Sequence, residues 1–238
     1  MVRVRALEYW GVTMPTLRWL PVLLLCCAAN ATAQDAWTVT GQEQTPIYQN
    51  NWVRVRRVIH RPGETAPMHE HKQRVSVYLT DAVVRLTAPD GKFQDSHYTP
   101  GMVKWGEPTK HILTNIGTTP VEVIEVEFLG PRPSTPQAYM GDPLKQDPKH
   151  FKLEFVNDRV RVLRYTLGPR ETSAMHDHLD RIAVRLTDFH SRATFSDGSK
   201  KESTAKAREA IYSPSTRHSV ENLGDTTYEA ISIEFKTP

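Results

Sequence analysis

Apolar and polar residues alternate along much of this chain. Trp52-Val53-Arg54-Val55-Arg56 has a period of two, and Val160-Arg161-Val162-Leu163 keeps it in part. Val75, Val77 and Leu79 alternate with Ser76, Tyr78 and Thr80, and Ile182, Val184 and Leu186 repeat that pattern. Such alternation places apolar side chains on one face of a strand and polar ones on the other. The stretch from Val121 to Phe128 is less regular. Val121, Val123 and Glu125 share one parity, and Glu122, Ile124, Val126 and Phe128 share the other, so its polar face changes midway. Asp90-Gly91 and Asp197-Gly198 predict hairpin turns, as do Asn115-Ile116-Gly117 and Asn222-Leu223-Gly224. Short strands at regular spacing predict an all-β antiparallel sandwich or barrel. No long helical period occurs beyond residue 33.

The same unit occurs twice. His69-Glu70-His71 returns as His176-Asp177-His178, and 176 − 69 = 107. His111 and His218, Asn115 and Asn222, and Arg74 and Arg181 share that offset. So do Leu79-Thr80-Asp81 with Leu186-Thr187-Asp188, and Glu127-Phe128 with Glu234-Phe235. The register holds without a gap from Val53/Val160 to Phe128/Phe235, which is the mark of a duplicated domain. Between the copies, Pro131, Pro133, Pro136, Pro143 and Pro148 predict a semi-rigid connector with neither strand nor helix.

The first 33 residues read as a targeting leader. Arg3, Arg5 and Arg18 carry positive charge, Leu20 to Ala29 form a short apolar run, and Ala31-Thr32-Ala33 fits a small-x-small cleavage site. The run is about half of the ~20 residues that a membrane span needs, so a cleaved signal peptide is expected in place of an anchor. The organisation expected is therefore a signal peptide at 1–33, domain 1 at 34–130, a Pro-rich linker at 131–150 and domain 2 at 151–238. Cleavage implies a periplasmic or secreted protein with no membrane contact afterwards. Cys26 and Cys27, the only cysteines, lie in the leader. The remaining chain has no disulfide, thiol nucleophile or cysteine metal ligand to offer.

Composition adds exclusions. The 238 residues carry 30 Lys and Arg against 27 Asp and Glu, a net charge of +3. Removing Arg3, Arg5, Arg18 and Glu8 with the leader brings it to +1. With no basic stripe, nucleic-acid binding is not expected.

The histidines are the candidate chemistry. His69 and His71 stand two apart on a predicted strand and point to one face. His111 lies on a later strand that can return beside them in a closed barrel, and His176, His178 and His218 repeat the arrangement. A lone His-x-His is weak evidence, but the same trio twice at one offset is specific. Three imidazoles suit a divalent transition metal (Fe, Zn, Cu, Ni or Mn) and leave coordination positions open for a ligand. His60, His97, His150 and His190 have no counterpart at the offset and are expected at the surface. By strand parity Val75 and Ile182 face with the histidines, while Arg74 and Arg181 face the barrel exterior. Trp105 and Tyr212 are expected in barrel packing, and Asn115 and Asn222 in turns.

Gly63-x5-His69-x-His71 resembles the first motif of the cupin superfamily, and His111-x3-Asn115 the end of the second. His176-x-His178 and His218-x3-Asn222 match in the same way. The resemblance covers nearly all of residues 34–238 and implies two tandem cupin jelly-roll β-barrels, a bicupin. Val77-Tyr78-Leu79-Thr80-Asp81 and Glu125-Val126-Glu127-Phe128 are also loosely similar to small cupins of β-alanine degradation. The chain departs from the pattern where cupins place a glutamate ligand four or five residues after the second histidine: Val75 and Ser76 stand there, then Ile182 and Ala183. The motif glycine is Gly63 in the first copy and Arg170 in the second.

With three neutral ligands a divalent ion keeps its full charge, which favours an anionic ligand. The three-His pattern resembles ferrous cupins that oxygenate thiols or cleave diketones. The expected function is a metal-dependent oxygenase or isomerase of a small anionic molecule, as a monomer or homodimer. The alternative is a non-catalytic periplasmic protein that binds a metal or a small ligand, and a third reading is a structural bicupin with vestigial sites.

Overall fold

The computed structural model describes residues 34–39, 46–134 and 139–237. The leader's charged and apolar residues lie outside the described part.

The first copy forms β1 (Gln34–Asp35), α1 (Ala36–Val39), β2 (Tyr48–Gln49), β3 (Val53–His60), β4 (Thr65–His71), β5 (Arg74–Tyr78), β6 (Ala82–Thr87), β7 (Phe93–Tyr98), β8 (Val103–Gly106), β9 (Thr109–Asn115) and β10 (Val121–Phe128). The second forms β11 (Phe151–Val156), β12 (Val160–Leu167), β13 (His176–His178), β14 (Arg181–Arg185), β15 (Phe189–Phe195), β16 (Lys200–Ala205), β17 (Ala210–Ser213), β18 (Thr216–Asn222) and β19 (Tyr228–Phe235). From β3 and β12 onward, the strands match copy for copy at the sequence offset. Each copy is a jelly roll of two sheets. In the first they run β2-β3-β10-β5-β8 and β1-β4-β9-β6-β7. In the second they run β11-β12-β19-β14-β17 and β13-β18-β15-β16. The all-β reading of two tandem barrels is thus met.

The largest apolar core lies between the barrels. Val53, Val55, Val75, Val77, Ile124, Val126 and Phe128 come from one sheet of the first barrel. They meet Val160, Val162, Ile182, Val184, Ile231, Ile233 and Phe235, the seven equivalent positions of the second. Both copies thus present the same face, the arrangement of a two-fold dimer within one chain. Trp52 meets Phe235 edge to face at 4.8 Å, and the equivalent Arg159 lies over Phe128 at 5.4 Å. Arg57 donates to the Arg208 carbonyl, and its equivalent Arg164 donates to the Gly101 carbonyl at 2.7 Å.

This interface corrects the expectation for Val75 and Ile182. Both face the inter-barrel core, so neither fills a place beside the histidines. Strand parity does not carry across Lys72-Gln73, where the chain leaves one sheet and enters the other. Trp105 and Tyr212 pack against the same core, as expected, and Tyr212 stacks on Tyr48 at 4.2 Å. The turn asparagines are confirmed. Asn115 Nδ2 donates to the carbonyls of His60 and Thr119 while its Oδ1 accepts from Gly117 N. Asn222 repeats this with Leu167, Thr226 and Gly224.

The connector also differs from its reading. Asp142 caps a four-residue helix, α2 (Pro143–Gln146), with Pro143 in its first turn, where a missing N–H costs nothing. Met140 N and Gly141 N both donate to Asp177 Oδ2, tying the segment to β13. Arg132 donates to Asp180 and to the Phe235 carbonyl.

Candidate metal centres

The register of the sheets assembles the histidines. β4 pairs antiparallel with β9 so that His69 lies opposite His111, and β13 pairs with β18 so that His176 lies opposite His218. His71 and His178, two residues along, return to the same face. In each trio, one ring nitrogen from every histidine lies within 4.8 Å of the others. All but His218 are buried. The six predicted ligands therefore form two clusters, one inside each barrel.

The backbone sets the tautomers of His69 and His176. His69 Nδ1 donates to the Pro67 carbonyl at 2.7 Å, and His176 Nδ1 donates to the Ala174 carbonyl at 2.7 Å. Each bond leaves Nε2 with its lone pair pointing into the barrel. His69 Nε2 and His71 Nε2 stand 3.1 Å apart, and His176 Nε2 and His178 Nε2 stand 3.0 Å apart. Nitrogens at that spacing are close enough that both would reach one ion at the usual Zn–N length of about 2.1 Å. Burial keeps the rings neutral. It lowers His111 and His176 to about 4, and His71 and His218 to about 2. Burial also lowers His69, and it holds His178 well below the usual histidine range. Neutral, lone-pair-bearing imidazoles are what a transition metal requires, so the donor sets fit.

Behind the ligands the two barrels differ. His178 Nδ1 donates to Glu234 Oε1 at 2.6 Å, and Glu234, fully buried, also accepts from Arg161. This is the carboxylate–histidine support common behind metal ligands. Its equivalent, Glu127, instead accepts from Arg54 Nε and Lys72 N and stands 3.9 Å from His71 Nδ1.

The cavities differ as well. The first measures about 70 Å³ and the second about 180 Å³. Glu125 faces the first cavity and accepts two hydrogen bonds from Arg56. Burial raises this carboxyl, but the Arg56 and Arg74 guanidiniums outweigh burial and hold it well below the usual range. The equivalent of Glu125 is Ser232 and that of Arg56 is Leu163. No acidic residue lines the second cavity among the described residues. Arg181 and Arg185 line it instead, and burial lowers Arg181 to about 10.

Arg74 and Arg181 are thus corrected. Both line the cavities and neither faces the exterior, because residues 74, 76 and 78 occupy the inward parity of β5. His60 lines the first cavity, and His150 is buried between Asp147 and Glu171, so neither lies at the surface. His97 and His190 are exposed as expected. Sequence reading passed over Glu125 and Glu234. The signal available was a carboxylate within an otherwise Val/Ile-rich strand, where a charge must be buried with a partner.

No family model matches the chain, and no curated protein does. Solved structures do. AerE from Microcystis aeruginosa is 12% identical over 81% of this chain and 96% of that one, with a TM-score of 0.56. A variant of oxalate decarboxylase from Bacillus subtilis is 15% identical over 79% of this chain and 70% of that one, with a TM-score of 0.55. A further structure of that decarboxylase, described for its Mn(II) centres, is 16% identical with a TM-score of 0.54. Likeness at these identities shows the fold: two tandem jelly-roll barrels, the bicupin arrangement that the motifs resembled.

Proposed function

We propose that this bicupin is an exported metal-dependent enzyme, an oxygenase or isomerase, acting on a small anionic molecule. The observation that carries the reading is the pair of buried three-histidine clusters, each opening on an internal cavity. His69, His71 and His111 would hold one divalent transition ion, and His176, His178 and His218 a second. Such an ion supplies Lewis acidity and open positions for a ligand. The chain's own groups orient the rings through Pro67, Ala174 and Glu234, and they present cationic side chains beside the trio. Imidazole donors suit Zn, Cu, Fe and Ni, and manganese joins them because the oxalate decarboxylase that shares the fold has Mn(II) centres. Export rests on Arg3, Arg5 and Arg18, the apolar run and the Ala31-Thr32-Ala33 site.

Elemental analysis of protein purified from the periplasm or medium tests the metal reading, with two equivalents expected. The double variant His69→Ala/His71→Ala and the double variant His176→Ala/His178→Ala should each lose one. Unchanged metal in both variants overturns the assignment. Oxygen uptake with Fe(II) and a panel of thiols and diketones tests oxygenase activity. Stabilisation by one compound without turnover favours a binding protein instead.

A further inference from the structure

The two cavities began as copies, and their differences form a pattern. In the first, Glu125 projects from β10 toward Arg74 and the histidines. Its Oε1 lies 3.6 Å from Arg74 Nε and 4.0 Å from His71 Nδ1. Arg56 holds its other oxygen at 2.7 Å. In the second, both members of the Arg56–Glu125 pair are gone together, replaced by Leu163 and Ser232. The guanidinium equivalent to Arg74 remains as Arg181, without the carboxylate.

The polar groups left over point to what the second cavity takes. Buried polar atoms almost always find a partner, and exceptions call for an explanation. Among the described residues, every buried side-chain polar atom without one belongs to a residue lining one of these two cavities. In the first they are His60 Nδ1, His71 Nδ1 and Arg74 Nε and Nη1, and there Glu125 already faces Arg74 at 3.6 Å. In the second they are the Tyr165 hydroxyl, Arg181 Nη1, Arg185 Nε and Ser232 Oγ, with no carboxylate among the described residues of the cavity lining to face them. Arg181 is buried. Two guanidinium groups and a hydroxyl, facing three neutral imidazoles with no acid among them, form a site for a carboxylate. The space, about 180 Å³, is several times the ~30 Å³ share of one water molecule. Arg185 and Ser203 line both this cavity and the groove outside it, so they mark its mouth.

We propose that the second cavity alone receives the carboxylate of a small organic acid, held by Arg181 beside the His176–His178–His218 trio, and that Glu125 fills the corresponding place in the first. The first barrel thus carries its own internal anion and the second takes one from solution. This deepens the reading of the chain as a metal-dependent protein for anions and rests on it.

Calorimetric titration with propionate, on metal-loaded and on chelator-treated protein, tests the idea, with metal content read separately by elemental analysis. One equivalent of propionate per chain is expected on loaded protein. Arg181→Gln should weaken binding about tenfold or more, the scale of one lost charge-assisted bond, with metal content unchanged. Ser232→Glu should abolish it by supplying the anion from within. Arg56→Leu combined with Glu125→Ser should raise the stoichiometry to two. No binding to wild type, two equivalents in wild type, or full affinity in Arg181→Gln would each overturn the proposal. Should the double variant fail to fold, the Arg181→Gln comparison still decides. Protein that takes up no metal on loading yet still binds propionate at Arg181 counts against the metal reading and leaves the carboxylate site standing.

Discussion

Gly63 and Arg170 occupy equivalent places 107 residues apart and share a left-handed backbone, with φ of 76° and 60°. Gly101 and Arg208 form a second such pair, with φ of 81° and 72°. These two arginines are the non-glycine residues with positive φ among the described residues, and each stands where the other copy keeps a glycine. The duplicated fold has held its turn geometry after losing the residue that adopts it without strain. Arg170→Gly should therefore stabilise the protein by about 1 kcal/mol, the left-handed penalty less the extra entropy of an unfolded glycine. Urea denaturation checks this, and Arg170 suits the test because its side-chain partner, Asp225, is exposed.

Phe235 should be among the most costly residues to truncate. It is fully buried, meets Trp52 at 4.8 Å and lies 6.3 Å from Phe128 across the inter-barrel core. Phe235→Ala is expected to cost about 3–5 kcal/mol of unfolding free energy. A separate first barrel, residues 34–134, would expose its half of this face. It is expected to self-associate, which light scattering after size-exclusion chromatography reads directly.

Glu234→Gln should weaken metal binding in the second barrel by about 10–100-fold, the usual effect of removing a carboxylate behind a ligating histidine. Glu127→Gln should leave the first barrel's affinity nearly unchanged, because Glu127 stands 3.9 Å from His71 Nδ1 and makes its bonds elsewhere. Competition with a chromophoric chelator, run on variants that lack the other barrel's histidines, separates the two.

Metal-free protein should lose stability as pH falls below about 6.5. Burial lowers His111 and His176 to about 4 and His71 and His218 to about 2, so the unfolded chain takes up protons first. Their contribution is whole above the unfolded value near 6.5 and drains away as pH drops toward the folded values. Each histidine adds at most about 1.4 kcal/mol per pH unit to the slope. Urea midpoints between pH 7 and pH 5, on chelator-treated protein, should fall accordingly. A flat profile would show that the trio is not held neutral by burial.

The amino-acid sequence by itself determined the duplication, the β class and the six histidines, because these are local: a period of two, a repeated spacing and residue types with one chemistry. It also placed Asn115 and Asn222 in turns, where their side chains bond backbone two and four residues on, although their bonds to the His60 and Leu167 carbonyls are long-range. Only the tertiary structure decided what faces what. Parity works within a strand and fails at a turn that passes between sheets, so Arg74 and Arg181 came inside while Val75 and Ile182 went to the inter-barrel core. Glu125 likewise looked like an irregularity in an apolar strand until Arg56, sixty-nine residues away, was seen to hold it. The charges that set the two cavities apart are long-range pairings, and spacing along the chain carries no record of them.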